Sequence, residues 1–317
     1  MPVKITYKVK PSNKAETLPK SPFIDKISIV LKPHKDQDAH DIYMALFQNL
    51  DDPMLWANGP KGKGFQIGKR VLLPSIVDFK RLPLFQATYD KAHKKVERIR
   101  LEFVPVDLGT LGIVELHAAM ITIMPGGWEY VAKHGHVTRI DVTVDLPSVR
   151  MDGFQFLPQH SSTTMRWTIN GILQNLAYGK PKGNQTLIYS RKKKRLSKGQ
   201  GWSGPSVVRI ERRLVNLGGM KVYQLPTLPN PFADMQFTTN MPVAPSEVEE
   251  GLWTMFCDSV QVRGLKDALL LLKKDRRTKF RKHLAAHPVP WWQPHEIWKD
   301  WKPMLASLKI ASTKWPG

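Results

Sequence analysis

Three acids are the residues best placed to bind a metal ion, and they lie in two segments in which polar and apolar residues alternate. Asp141 and Asp145 lie four positions apart in RIDVTVD (139–145). On a β-strand this spacing puts both carboxylates on one face, about 13 Å apart, and turns the apolar residues between them to the other face. Glu211 lies in a similar segment, VVRIERRLV (207–215). Carboxylates are suited to hold a divalent cation. The alternatives are that the aspartates form the solvent-facing side of an amphipathic strand, or that nearby arginines offset Glu211.

Tyr189 is the candidate nucleophile. It ends a strand-like segment, TLIYSR, and is followed closely by the basic run RKKKR (191–195). A phenol has a reference pKa near 10, and the adjacent cations are expected to lower it. A tyrosine beside a metal ion and a phosphate-binding cluster can attack a phosphodiester. The alternatives are that Tyr189 is an ordinary strand-end residue, or that Tyr89 in Tyr89-Asp90-Lys91 is the nucleophile.

Two other patterns bear on the chemistry. His134-Gly135-His136 is a possible metal-binding pair, but its central residue is glycine and it is predicted to lie in a turn. The sequence has no Gly-x-x-x-x-Gly-Lys-Ser/Thr loop and no Gly-x-Gly-x-x-Gly after a strand. The sequence therefore gives no support for an enzyme that hydrolyses nucleotides or uses a dinucleotide.

Positive charge is the strongest signal in the composition. The 317 residues include 48 Lys and Arg against 27 Asp and Glu, a formal net charge of +21. Residues 180–213 contain eleven of these cations and one acid, and residues 263–282 contain nine cations and two acids. Two such runs favour a surface that binds a polyanion over a solvated surface without function. Nucleic acid is the leading candidate for the polyanion. The candidate DNA-binding residues are Lys180, Lys182, Lys193, Lys194, Arg195, Lys198, Arg212, Arg213, Lys273, Lys274, Arg276, Arg277, Lys279, Arg281 and Lys282.

The rest of the composition excludes several classes. A hydrophobic content of 42% supports a packed core, and one cysteine rules out an internal disulfide framework and a cysteine-based zinc finger. No run approaches 18 apolar residues, and residues 1–20 lack the apolar core of a secretory signal. We expect a protein of the reducing cytoplasm, with no membrane partner.

The elements that must position these residues occur in two similar cycles. The first has strands at 23–31, 84–90 and 96–104, and helices at 38–49 and 108–124. The second has strands at 137–145, 186–191 and 207–215. Three short matches in the same order, about 100–115 positions apart, indicate a duplicated unit.

This pattern predicts an α+β fold: an antiparallel sheet from a duplicated strand-helix-strand-strand unit, with helices on one face, plus a helical, basic C-terminal region. The open face of the sheet is a possible binding surface. The predicted domains are a flexible arm at 1–22, a duplicated α+β domain at 23–225, a proline-rich linker at 226–245 and a helical region at 246–317. Helices are predicted at 246–260 and 264–284. Five tryptophans in the tail either pack the helical layer or stack on unpaired bases.

Taken together, three segments resemble a known family. VTRIDVTVD (137–145), LIYSRK (187–192) and VRIERRL (208–214) are similar to the strand motifs (F/V)TRxDxxxD, (R)xYxKK and RxE of rolling-circle replication initiators. These proteins include the initiators of staphylococcal-type plasmids and of phages, and related relaxases of integrative elements. The motifs are short and degenerate, although the resemblance touches most of residues 23–290. Where the family has Asn/Asp-Lys after the tyrosine this chain has Ser190-Arg191, and Leu187 replaces an arginine.

The resemblance implies a mechanism. Tyr189 would be the nicking tyrosine, and Asp141, Asp145 and Glu211 would be associated with Mg²⁺ or Mn²⁺. Arg191, Lys192 and Arg209 would lie near the phosphates and stabilise developing charge. Attack on one strand of origin DNA would form a 5′-phosphotyrosine and free a 3′-hydroxyl for a polymerase.

The implied partners are origin DNA, host helicase and polymerase, and a second copy of the chain, in a bacterial cytoplasm. Two alternatives stay open. One is a DNA- or RNA-binding protein without catalysis, and the other is a relaxase that starts conjugative transfer by the same chemistry.

Overall fold

The computed structural model describes residues 21–157, 164–169 and 172–312. Most of the predicted N-terminal arm, and Trp315, therefore lie outside the described residues. The strands are β1 (Phe23–Leu31), β2 (Trp56–Asn58), β3 (Ile67–Val71), β4 (Leu84–Asp90), β5 (Lys95–Phe103), β6 (His136–Pro147), β7 (Phe154–Leu157), β8 (Thr164–Ile169), β9 (Ile172–Tyr178), β10 (Gln185–Ser190), β11 (Val207–Val215) and β12 (Gln236–Thr239). The α-helices are α1 (Asp36–Asn49), α2 (Pro105–Ile121), α3 (Trp128–His134), α4 (Arg191–Leu196), α5 (Glu250–Arg263), α6 (Leu265–Leu270), α7 (Lys274–Ala285), α8 (Pro294–Lys299) and α9 (Trp301–Leu308).

Ten strands form one antiparallel sheet in the order β2-β3-β4-β5-β1-β6-β11-β10-β9-β8. β1 and β6 lie at the centre. β1 is followed outwards by β5 and β4, and β6 is followed outwards by β11 and β10, so each half repeats the same connectivity. This arrangement confirms the predicted α+β fold with its large antiparallel sheet.

One face of the sheet is covered and the other carries the polar residues. Ile27 and Ile29 of β1 and Ile140, Val142 and Val144 of β6 are almost fully buried. α1 packs on β5 and α2 packs on β1, and these strands belong to the same hydrophobic core. Because side chains alternate along a strand, the acids of β6 lie on the opposite face.

The C-terminal region is helical, as predicted, but the helix expected at 264–284 is two helices. Arg277 of α7 donates hydrogen bonds to the carbonyls of Leu269 and Leu272 at 3.0 Å, which satisfies the carbonyl end of α6. α5, α6 and α7 form a second apolar cluster around Trp253, Phe256 and Phe280. Across the described ranges, no helix is both long and apolar enough to cross a membrane.

Four of the five tail tryptophans pack in the helical layer. Trp292 and Trp301 are buried, and their indole N–H groups donate to the carbonyls of Met235 and Leu225 at 2.9 Å. Trp291 and Trp298 are partly buried against the main core. The packing interpretation is therefore confirmed for these four. The proline-rich segment 226–245 contains β12, which pairs with β7.

Candidate active site

The candidate residues lie on the polar face of three neighbouring strands. In the pairing of β6 with β11, Asp145 is opposite Arg209, Thr143 is opposite Glu211 and Asp141 is opposite Arg213. Tyr189 of β10 is in turn opposite Arg209. The register thus brings the predicted nucleophile, acids and one predicted cation to adjacent positions.

The acids are buried. The alternative that the aspartates form the solvent-facing side of an amphipathic strand is therefore wrong. Asp141 is 2% exposed, Asp145 is 8% exposed and Glu211 is 4% exposed. A charged group that leaves water must be compensated by partners, or it must change its protonation state. Asp145 is compensated by partners, whereas Glu211 changes its protonation state.

Asp145 is held by two arginines. Arg209 donates from Nε to Oδ1 at 2.8 Å and from Nη2 to Oδ2 at 3.0 Å, in the bidentate arrangement that guanidinium and carboxylate favour. Arg191 donates to Oδ2 at 2.7 Å. The second Nη of Arg209 donates to Asp25 at 2.7 Å. These carboxylates outweigh burial and raise the pKa of Arg209, which stays charged.

Asp141 is also held by arginines. Arg139 donates from Nε to Oδ1 at 2.9 Å and makes a second, short contact to Oδ2. Arg213 Nε lies 3.6 Å from Oδ1. Asp25 and Arg139 were not among the predicted site residues. Both stand inside sequence patterns that were recognised, Asp25 in the first repeat and Arg139 in the strand motif.

Within the described residues, Glu211 has one ion-pair partner, Arg213, whose Nη2 lies 3.7 Å from Oε1. Burial and the negative charges of Asp141 and Asp25 raise its pKa to about 7, against the opposing effect of Lys194 and Arg213. The Oγ1 of Thr143, opposite Glu211, is buried without a hydrogen-bond partner in the described residues. Glu211 therefore changes charge near neutral pH.

This shift predicts a loss of stability as the pH rises. The folded-state pKa of Glu211 is higher than its unfolded value, so between about pH 4.5 and 7 the folded state binds more protons than the unfolded state. The contribution of Glu211 to the free energy of unfolding should fall across that window, by up to about 3 kcal/mol. Glu211→Gln should remove this part of the slope, measured by urea unfolding at pH 5 and pH 8. An unchanged slope in the variant would contradict the assignment.

Tyr189 is enclosed where β10 ends. Its side chain is 5% exposed, and the Nζ of Lys194, from α4, lies 4.0 Å from the ring centroid. α4 begins two residues after Tyr189, and the Ser190 hydroxyl caps it by accepting from the Lys193 N–H at 3.4 Å. The basic run thus folds as a short helix over the tyrosine.

The expectation that neighbouring cations lower the pKa of Tyr189 is wrong. Burial raises the pKa, and the charges of Glu211 and Asp25 raise it further. Arg209 acts in the other direction through its charge and a hydrogen bond to the phenol, but burial dominates. The phenol is therefore protonated in the described structure, and a base is needed to activate it.

Comparison with known proteins adds little to this geometry. No protein-family model matches the sequence, and no curated protein matches it. A solved rolling circle replication initiator protein from Geobacillus stearothermophilus aligns over 78% of this chain and 98% of that chain, with 14% identity and a TM-score of 0.37. A likeness of this extent says nothing by itself about activity.

The three predicted metal ligands do not form one ligand set in this arrangement. Both oxygens of Asp145 and both oxygens of Asp141 accept hydrogen bonds from guanidinium groups, whereas the nearest guanidinium contact of Glu211 in the described residues is the longer ion pair with Arg213. Residues 21–157, 164–169 and 172–312 contain no cluster of three or more His, Cys, Asp or Glu suited to a metal ion. The divalent ion stays a prediction.

The remaining predicted cations fall into two groups. Lys192 and most of the predicted DNA-binding lysines and arginines are exposed: Lys180, Lys182, Lys193, Lys194, Arg195, Lys198, Lys273, Lys274, Arg276, Lys279 and Lys282. Others have structural partners. Arg277 is bound to the carbonyl end of α6, and Arg212 lies on the opposite face of β11, where it donates to Thr186 at 2.5 Å.

Proposed function

We propose that this protein nicks one strand of DNA through Tyr189 and thereby initiates rolling-circle replication. The observation that supports it is the register of β6, β11 and β10. It puts Tyr189 beside Arg209, and Arg209 beside Asp145, on the polar face of the sheet. The exposed lysines of α4 border the same position. A protein that only binds nucleic acid has no need of a buried tyrosine surrounded by matched acids and arginines.

In the proposed step the Tyr189 oxygen attacks the phosphorus, and the bond from phosphorus to the 3′-oxygen breaks. The products are a 5′-phosphotyrosine and a free 3′-hydroxyl. Glu211 suits the role of proton carrier, because a group with a pKa of about 7 can accept the phenol proton and return it to the leaving oxygen. Arg209 stabilises the phenolate through its charge and hydrogen bond.

Access to Tyr189 requires Lys194 to move. The lysine covers the ring at 4.0 Å and has no acidic partner within ion-pair distance in the described part of the chain. A DNA phosphate would attract this ammonium more strongly than an aromatic ring does. We propose that DNA binding itself draws Lys194 from the ring and opens the site.

The test is a nicking assay on supercoiled plasmid that carries the cognate origin, with Mg²⁺ or Mn²⁺ present. Conversion to open circle, with protein attached to DNA after denaturation in SDS, is expected. The burial of Tyr189 favours a second candidate function, nucleic-acid binding without cleavage. DNA binding without any covalent adduct would favour that candidate.

A requirement for Mg²⁺ or Mn²⁺ belongs to the proposal. The negative charge of Glu211 acts on Tyr189, and a divalent cation would offset the repulsion between this carboxylate and a scissile phosphate bound there. We expect EDTA to abolish nicking while DNA binding at low salt persists. Undiminished nicking in EDTA would contradict this requirement and would leave charge stabilisation to the arginines.

The proposed partners are origin DNA, host helicase and polymerase, and a second copy of the chain, in a bacterial cytoplasm. A second copy would supply another nucleophile, because one tyrosine must otherwise act twice in a replication round. Light scattering with and without origin DNA measures the stoichiometry.

A further inference from the structure

A second basic site lies further along the same face. A cleft of about 490 Å³ lies over the central strands of the sheet, next to the Asp141 end of the candidate active site, and is lined by residues of both halves. Its cationic lining residues are Arg98, Arg100, Arg139, Lys182 and Arg213. None of the described residues that line the cleft is acidic. Arg139 is six positions before Asp145 on β6, which corresponds to about 20 Å along the strand.

Acidic side chains next to the cleft neutralise only part of the positive charge of its lining. Glu102 pairs with Arg100 at 2.7 Å, and Asp141 pairs with Arg139. Arg213 lies 3.6 Å from Asp141 and 3.7 Å from Glu211. Arg98 and Lys182 form no ion pair within the described residues. The Nε of Arg98 is buried without a hydrogen-bond partner there. Buried guanidinium N–H groups that lack an acceptor are costly unless a ligand supplies one.

A glycine-rich loop, GPKGKG (59–64), precedes the lining residue Phe65 and is held against the neighbouring strands. The Gln86 side chain donates to the Pro60 carbonyl at 2.9 Å, and a Cβ at Gly68 would lie 2.5 Å from that same oxygen. Only glycine allows the two segments to approach this closely. The loop thereby presents two exposed lysines, Lys61 and Lys63, and leads directly to Phe65.

Phe65 is a partly buried aromatic residue in the lining of the cleft. The Arg98 guanidinium stacks on it, with Cζ 4.6 Å from the ring centroid, and Arg98 donates to the Gly64 carbonyl at 3.1 Å. An aromatic ring combined with an arginine plane is a surface on which an unpaired base can stack. The neighbouring cations suit the phosphates on either side of such a base.

We infer that this cleft binds an unpaired segment of DNA beside the nick site, with phosphates on Arg98 and Lys182 and a base against Phe65. The inference rests on the proposed function for the identity of the polyanion. A single strand is favoured over duplex because a stacking surface recessed in a cleft of this volume admits an unstacked base. The cleft would hold the strand on the same face as Tyr189 and so align it for attack.

The test is fluorescence anisotropy with a labelled single-stranded oligonucleotide and the full chain, over a series of salt concentrations. Arg98→Gln combined with Lys182→Gln should weaken binding about tenfold or more, and should reduce the salt slope by about 1.4 for two lost phosphate contacts. Phe65→Leu should weaken binding about tenfold with an unchanged salt slope, because it removes stacking and not charge. The loop variant Lys61→Gln with Lys63→Gln, whose side chains are exposed and cannot unfold the protein, should also reduce the slope.

The matched control is Lys302→Gln, an exposed lysine on α9 in the helical layer, for which we expect unchanged affinity. Unchanged affinity in the Arg98/Lys182 and Phe65 variants would overturn the inference. An equal loss of affinity for duplex and single-stranded DNA in all variants would overturn the claim of an unpaired strand. The assay needs no cleavage, so it gives a result whether or not Tyr189 is the nucleophile.

Discussion

Tyr189→Phe is expected to abolish nicking and covalent attachment to DNA, with at least about a 10³-fold loss of rate. The substitution removes the oxygen that would attack the phosphorus. It keeps the ring on which Lys194 lies and the packing at the end of β10. The protein should therefore stay folded, and the lost activity can be assigned to the chemistry. Conversion of supercoiled plasmid and the SDS-stable adduct are the two measurements.

Tyr89→Phe is the matched control. Tyr89 lies near the end of β4, the counterpart of β10 in the other half of the sheet, and its ring packs against Tyr43 and Phe47. Nicking should persist in this variant. If the adduct instead persists in Tyr189→Phe and disappears in Tyr89→Phe, the nucleophile is Tyr89. An adduct that survives in the double variant, Tyr89→Phe with Tyr189→Phe, would contradict nucleophilic attack by either tyrosine.

The sheet could be predicted because its strands alternate clearly. The predicted limits of β1, β4 and β11 agree with the structure, and the repeat of short motifs indicated the two halves. α4 was missed because RKKKRL has no apolar periodicity. Its helix depends on the Ser190 cap and on the end of β10. β12 was missed because it pairs with β7, some 80 positions earlier, and nothing local indicates that partner.

The members of the candidate site could be proposed from sequence, but their protonation and ion pairs could not. Tyr189 is close to five cations in the chain, yet burial, which only the folded structure reveals, raises its pKa. Asp145 and Arg209 are 64 positions apart, and their pairing depends on the register of β6 with β11. Asp25, the third partner, comes from the other half of the sheet.

The buried ion pair between Asp145 and Arg209 leads to the second prediction with a large effect. Asp145→Ala should reduce the free energy of unfolding by about 3–5 kcal/mol, because it leaves the Arg209 charge, 7% exposed, with Asp25 as its remaining close acid. The same variant should lose nicking, since Arg209 would no longer be fixed beside Tyr189. Urea unfolding gives the first quantity and the plasmid assay the second.

Asp152→Ala is the control that separates burial from pairing. Arg150 donates to Asp152 with the same bidentate geometry, at 2.9 and 2.6 Å, but the two side chains are 73% and 51% exposed. Water screens the attraction between these exposed side chains, and it solvates Arg150 once Asp152 is removed. The loss of stability should therefore stay below about 1 kcal/mol. If both variants lost the same free energy of unfolding, the effect at Asp145 would come from the contact with arginine alone. The burial of the sheet face around Tyr189 would then contribute nothing to it. A loss confined to Asp145→Ala would show that burial, and not the contact alone, makes the pairing of Arg209 important for stability.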